Sequence, residues 1–244
     1  MRRCGPNRLW TRAARQLAAQ GQPSLRLDVH DVGDSDGTHV PHRDLEAMYS
    51  PASVEDALAA YDAVVGLGAQ EVDVVGLCSG AFLGMQVAAQ RPVRRACLFN
   101  GLAYVWDDNA RASKFTAHIR GSLFNLRRWR RLLTGRIDGM ALARSVVKKG
   151  RLKARDRLDQ LRGRPVRSPV ATLITHVQAQ GTDVHLVSSA GDPSVAYLHE
   201  HFAAHPMPQL TVLTGLDHTL RPVWSHDRIV ALICTQNSPS MEPA

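Results

Sequence analysis

The residue whose surroundings most plainly suggest chemistry is Cys78, in the stretch Gly76-Leu77-Cys78-Ser79-Gly80. The spacing is that of a nucleophile elbow, glycine-x-nucleophile-x-glycine, with a thiol in the place where such turns usually carry a hydroxyl. A thiol there can attack an acyl carbon and form a covalent intermediate. The glycines are read as a steric requirement, since a side chain two residues before or after the nucleophile would crowd a sharp strand-to-helix bend. Gly76 and Gly80 are symmetric about Cys78, whereas centring the motif on Ser79 would place Leu77 and Ala81 where small residues are needed. The N–H of Ser79, opening the following helix, is the expected oxyanion-hole donor. The plain alternative is a buried structural cysteine in a glycine-rich turn of a doubly wound protein.

The flanking residues have the character of the elements that such a turn joins. Val72, Val74, Val75 and Leu77 form a β-branched, apolar run, and Ala81 to Ala89 is rich in helix formers. Upstream, Arg8 to Gln20 has an apolar helical stripe closed by Gly21 and Pro23, and Leu25 to Val29 reads as a strand. Ser50-Pro51 starts a helix that runs to Val65, and Arg94 to Asn100 reads as a buried strand. After a basic stretch the pattern resumes. Pro169 to Gln180 is helical, Val184 to Ser188 a strand, and Val195 to Ala204 a helix. Leu210 to Leu213 is the last strand and Val223 to Cys234 the closing helix. This alternation predicts an α/β fold with a doubly wound, mostly parallel sheet. The predicted divisions are a core of 1–102 with 169–236, an inserted basic helical cap at 103–168, and a flexible tail at 237–244.

Composition narrows the function classes. The 244 residues are 44% hydrophobic, enough for one substantial core. The cysteines Cys4, Cys78, Cys97 and Cys234 form no C-x-x-C pair, which argues against a zinc knuckle or disulfide framework and for a cytoplasmic location. Neither a signal peptide nor a membrane-spanning run is evident in the sequence. Asp31, Asp34 and Asp36 crowd one loop but miss the calcium-loop spacing, and His201 and His205 lack the context of a zinc site, so neither metal nor cofactor is expected. The net charge of +8 is uneven: 103–168 holds 18 Lys and Arg against 5 Asp and Glu, and the rest of the chain is mildly acidic. A solvated helical face, a nucleic-acid patch and a membrane-surface element all compete for that insert. Its few aromatics fit core positions, which disfavours nucleic acid and favours a face that steers an acidic partner.

Several motifs together resemble one family. The elbow G-L-C-S-G-A, the upstream G-P-N-R-L-W and L-R-L-D-V-H-D-V-G-D-S-D-G, and the late G-D-P and L-D-H-T-L resemble α/β-hydrolases of the exosortase-associated and serine-aminopeptidase-like branch. The resemblance runs from Gly5 to about Ile233 and is weakest in the basic insert. It implies a triad in the chain order nucleophile Cys78, acid Asp192, base His218, with Asp217 as the rival acid. It also implies action on a small acyl ester or thioester, as thioesterase, other hydrolase or acyltransferase; the charge of the basic cap adds the expectation of an acidic carrier protein docked there.

One departure shapes the expectations. The resemblance implies a further strand ahead of the first helix, beside the elbow strand, whose following loop provides a second oxyanion donor. Only Met1 to Asn7 precedes the first helix, so we expect an opened sheet, a lost donor, and a shortened or degenerate copy of a longer gene. Reading the codons upstream of Met1 tests this. Two function classes follow: an acyl-handling enzyme, and a non-catalytic module that binds an acidic partner through the cap.

Overall fold

Four parallel strands carry the architecture of the computed structural model, which describes residues 3–36, 45–106 and 168–234. They are β1 (Asp73–Leu77), β2 (Arg95–Phe99), β3 (Asp183–Ser189) and β4 (Gln209–Leu213), side by side in chain order. The helices are α1 (Leu9–Ala19), α2 (Pro51–Gly66), α3 (Ser79–Ala88), α4 (Pro169–Ala179), α5 (Pro193–His201) and α6 (His226–Cys234). These elements begin and end within three residues of the sequence expectations. Ser50 caps α2 by accepting from the Ser53 N–H at 3.2 Å, with Pro51 in the first turn.

Register aligns the strand ends. Leu77, Phe99, Val187 and Thr211 lie in one row across the sheet. The residues that follow the four strands therefore emerge along one edge, the carboxyl edge where open parallel sheets place their sites.

Alternation along the strands divides the core into two layers. On one face Leu9 and Ala13 of α1 and Ile229 and Ile233 of α6 pack with Leu77, Cys97, Phe99, Val187 and Leu213. Each of the buried leucines, isoleucines, valine and phenylalanine contributes about 1.5 to 3 kcal/mol. On the other face α3 approaches so closely that a Cβ on Gly84 would stand 2.9 Å from the Leu98 side chain and 3.7 Å from Val74. Arg95, 3% exposed, donates to the Ile233 carbonyl at 2.7 Å and faces Asp73 at 3.5 Å, which ties the end of α6 to the sheet. Burial pushes the Cys97 thiol up to about 12, so this cysteine is inert packing.

Leu25–Val29 differs from expectation. The segment belongs to no sheet, and among the described residues none of its backbone amides donates to another backbone carbonyl. Among the described residues the sheet ends at β1, with no strand on its outer edge. A stretch that alternates apolar and charged residues, L-R-L-D-V, becomes a strand only where a ladder partner exists, and here a gap separates the segment from β1.

The chain divides into two compact units, Met1–Tyr104 with Val170–Ala244, and Val105–Pro169. The site described below lies in the first. Most of the expected cap, 107–167, and the expected tail, 237–244, fall outside the described residues. Among the described residues no helix is long and apolar enough to cross a membrane.

Candidate active site

Cys78 sits at the junction of β1 and α3 with φ 58° and ψ −110°, a conformation that side chains rarely adopt. The strain is held on both sides. The Cys78 N–H donates to the Phe99 carbonyl at 2.9 Å, and its carbonyl accepts from the Ala81 N–H at 3.1 Å. A Cβ on Gly76 would lie 2.1 Å from the Gly80 carbonyl oxygen, so only glycine fits before the bend. The expectation that Gly80 is needed for the same reason is corrected: a Cβ there would meet nothing within 4 Å. The tightness is one-sided, because the β1 backbone presses on the first turn of α3 while Gly80 itself faces open space. Ser79 is the first residue of α3, so its N–H is one of the leading amides without an intrahelical partner. Its hydroxyl reaches toward the Met48 sulfur at 3.9 Å.

Asp192 and His218 are brought together from loops after β3 and β4. Asp192 caps α5, accepting from the Ser194 N–H at 2.8 Å through Oδ1, while its Oδ2 meets His218 Nδ1 at 2.7 Å. Its side chain is 2% exposed and that of His218 31%, so the acid is enclosed and the imidazole opens toward solvent. Burial works to raise the Asp192 carboxyl, but bonds from His218 and Ser194 outweigh it and hold the group below the usual carboxylate range. His218 is raised from 6.5 to about 10, by its hydrogen bond to Asp192 first and by one to Cys78 second. Asp192 thus holds the imidazole, and Cys78 is the second influence on it.

Asp217 is engaged elsewhere. It accepts from Arg221 Nε at 2.7 Å and the Arg221 N–H at 2.8 Å, and burial's upward pull is outweighed by these bonds. Of the two candidate acids, Asp192 is the one bonded to the imidazole.

The loop that carries His218 is pinned through its carbonyls by side chains that sequence reasoning did not single out. Asn100 Nδ2 donates to the His218 carbonyl at 2.8 Å and to Ser189 Oγ at 3.0 Å, and Asn100 Oδ1 accepts from the Ser189 N–H at 2.7 Å. Ser189 Oγ donates to the Asp217 carbonyl at 3.1 Å. His226 lies 3.2 Å from the Leu220 carbonyl, and Asn7 Nδ2 donates to that of Arg221 at 2.7 Å. Asn100 has φ 46°, a left-handed conformation asparagine tolerates, and the Asn100-Gly101 pair was the local signal for a special turn. Replacing Asn100 with alanine leaves the Ser189 N–H and the His218 carbonyl unpartnered by it. We expect a loss of about 2 to 3 kcal/mol in urea unfolding. Any acyl-transfer rate should fall about tenfold to a hundredfold through misplacement of His218.

The loop at Asp31, Asp34 and Asp36 and the later histidines do not assemble comparably. Among the described residues no group of three or more His, Cys, Asp or Glu converges as a metal site. His201 packs edge-on against Tyr197 with ring centroids 4.4 Å apart.

Comparison with known proteins agrees with this fold. The model of the alpha/beta hydrolase family matches residues 4–232. A search of curated proteins found no match. Among solved structures, an alpha-beta serine hydrolase homologue from Coxiella burnetii is similar at 12% identity and TM-score 0.52, covering 94% of this chain and 76% of that one. Alpha/beta hydrolase domain-containing protein 10 from mouse is similar at 12% identity and TM-score 0.51, covering 93% and 82%. A structure from a study of carboxylesterases of Nitrososphaera gargenis is similar at 14% identity and TM-score 0.50, covering 97% and 89%. These likenesses concern the fold, and the family match spans nearly the whole chain: the protein belongs to the alpha/beta hydrolase family.

Proposed function

We propose that the protein is an acyl-ester or thioester hydrolase or acyltransferase that works through Cys78, His218 and Asp192, akin to the exosortase-associated branch. The observation that carries this reading is the 2.7 Å bond from His218 to the enclosed Asp192 at the carboxyl edge of the sheet, the edge at which Cys78 stands on its strained elbow. His218 is the base that takes the proton of the Cys78 thiol as the sulfur attacks. The Cys78 sulfur attacks the acyl carbon, and the oxyanion that forms faces the Ser79 N–H. As the carbonyl re-forms, the bond to the leaving group breaks and His218 gives that group its proton. His218, now neutral, takes a proton from water, or from an acceptor alcohol or amine, as it attacks the thioester. Cys78 then departs with its electron pair and takes that proton from His218, which restores the thiol and the neutral imidazole. Asp192 holds the imidazole by Nδ1 throughout, which turns Nε2 to the reacting groups.

A carboxylesterase among the structural neighbours is compatible with ester substrates. The excess of 18 basic over 5 acidic residues in 103–168 favours an acidic acyl carrier as donor. The test is covalent capture: the chain is mixed with p-nitrophenyl butyrate, quenched in acid, digested and weighed. We expect the butyryl mass on the peptide containing Cys78. Turnover with no acyl group on Cys78 would overturn the assignment.

A further inference from the structure

The loop between β4 and α6 carries His218 inside a turn that one neighbouring residue closes. Asp217 Oδ1 accepts from the Arg221 N–H at 2.8 Å, and its Oδ2 accepts from Arg221 Nε at 2.7 Å and from Thr219 Oγ1 at 3.2 Å. The Asp217 carbonyl accepts from the Leu220 N–H at 3.1 Å and from Ser189 Oγ at 3.1 Å. Side chain and backbone of Asp217 together close residues 217–221, and His218 is the second of these.

The turn contains a conformation that its sequence does not favour. Leu220 has φ 56°, in the left-handed region that leucine avoids, while its side chain is buried in the core cluster with Leu9, Phe99 and Ile229. Such a residue persists only where its surroundings hold it. The backbone bond from Leu220 to Asp217 ends at the Leu220 nitrogen, before the strained torsion. The bond from the Arg221 N–H to the Asp217 carboxylate ends beyond it and so spans the strain. Stability is not the main consequence of this contact. The Arg221 side chain is 72% exposed and that of Asp217 33%, and an ion pair so open to water adds little to folding. What the contact constrains is the main chain at His218, whose carbonyl is held by Asn100 at 2.8 Å and whose imidazole is held by Asp192 at 2.7 Å.

We propose that Asp217 is a positioning residue of the acyl-transfer site: its carboxylate closes the 217–221 turn through the Arg221 N–H and thereby sets the direction from which His218 meets Cys78. The proposal rests on the reading of Cys78 and His218 as nucleophile and base. Two carboxylates then divide the work on one histidine, Asp192 holding the imidazole and Asp217 the main chain that carries it. Arg221 Nε is an accessory, because without it the Arg221 N–H still reaches Oδ1. A turn freed at the N–H bond keeps its histidine but spreads it over several orientations. That slows the chemical step and leaves substrate binding in place.

The test compares the native chain with Asp217→Ala, Asp217→Asn and Arg221→Ala in single-turnover acylation of Cys78 by p-nitrophenyl butyrate. In Asp217→Ala we expect the limiting rate to fall about tenfold to a hundredfold, with the half-saturating concentration within about twofold of native. Asp217→Asn, whose amide oxygen can still accept from the Arg221 N–H, should stay within about fivefold of the native rate. Arg221→Ala should stay within about fivefold as well, and adding it to Asp217→Ala should cause no further loss. All variants should melt within about 4 °C of native, as an exposed pair predicts. A second readout needs no turnover. The low-field proton resonance of His218 Nδ1–H, bonded to Asp192, should exchange with water at least about tenfold faster in Asp217→Ala than in the native chain or Arg221→Ala. A native chain acylated on Cys78 beside an Asp217→Ala chain acylated as fast would overturn the proposal and leave the reading of the site standing. Losses in Asp217→Asn or Arg221→Ala as deep as in Asp217→Ala would place the effect in the ion pair and overturn it too. If the native chain takes up no acyl group, the reading of the site fails and the exchange rate alone decides: an unchanged rate in Asp217→Ala overturns the proposal.

Discussion

Replacing Cys78 with glycine should abolish acyl-ester turnover while making the protein more stable. The two effects have separate causes. Without Sγ no covalent intermediate can form, and loss of a nucleophile that acts with its base as a unit costs three orders of magnitude or more in kcat. Stability moves the other way because Cys78 is held at φ 58° and ψ −110° by the Phe99 and Ala81 bonds, not by preference. A strained non-glycine residue costs about 1 to 3 kcal/mol, and glycine, which adopts such angles freely, recovers roughly 1 kcal/mol of it after its own entropy loss. Cys78→Ala serves as the partner measurement, since it removes the sulfur and keeps the strain. Chromogenic ester assays and urea titrations on both variants separate the cases. A Cys78→Gly protein as active as the native chain would sink the nucleophile assignment, and equal stability of the glycine and alanine variants would remove the strain argument.

That strain was legible in the sequence because it is local. Gly76 stands two residues before Cys78, and the 2.1 Å that a Cβ there would leave to Gly80's carbonyl oxygen bears out the first half of the glycine argument. The second half fails at Gly80, since symmetry in a motif does not make the two sides of a bend equally crowded. The helices and all four strands were readable from period and turn residues. Leu25–Val29 was not, because a strand is defined by its partner and the partner's absence leaves no mark on those five side chains. Asn100 was hidden for a related reason. Its bonds reach Ser189 and the His218 carbonyl across 89 and 118 residues, a distance that only the aligned strand ends close. Backbone carbonyls carry no residue identity, so a side chain that positions a loop through them shows no pattern of its own.

Asp192→Asn should separate the two duties of that side chain. The amide oxygen can still accept from the Ser194 N–H, so the cap of α5, worth about 1 kcal/mol, should survive in the asparagine and be lost in Asp192→Ala. Orientation of His218 should fail in both. An amide N–H facing Nδ1 demands an acceptor there, which places the imidazole proton on the other nitrogen, and we expect kcat to fall about a thousandfold to ten-thousandfold. The pH dependence supplies a readout that misfolding would not mimic. In the native protein His218 is raised from 6.5 to about 10, so its contribution to stability is complete below about pH 6.5 and is lost as pH rises through about 10. The step that needs its proton should likewise persist to about pH 10. With the carboxylate gone, the largest cause of that shift disappears, and both the alkaline limit of residual activity and the alkaline loss of stability should move toward pH 6.5. Rates followed from pH 5 to 11, beside thermal unfolding at the same values, make the comparison. An unchanged alkaline limit in Asp192→Asn would show that the imidazole is held by something other than Asp192.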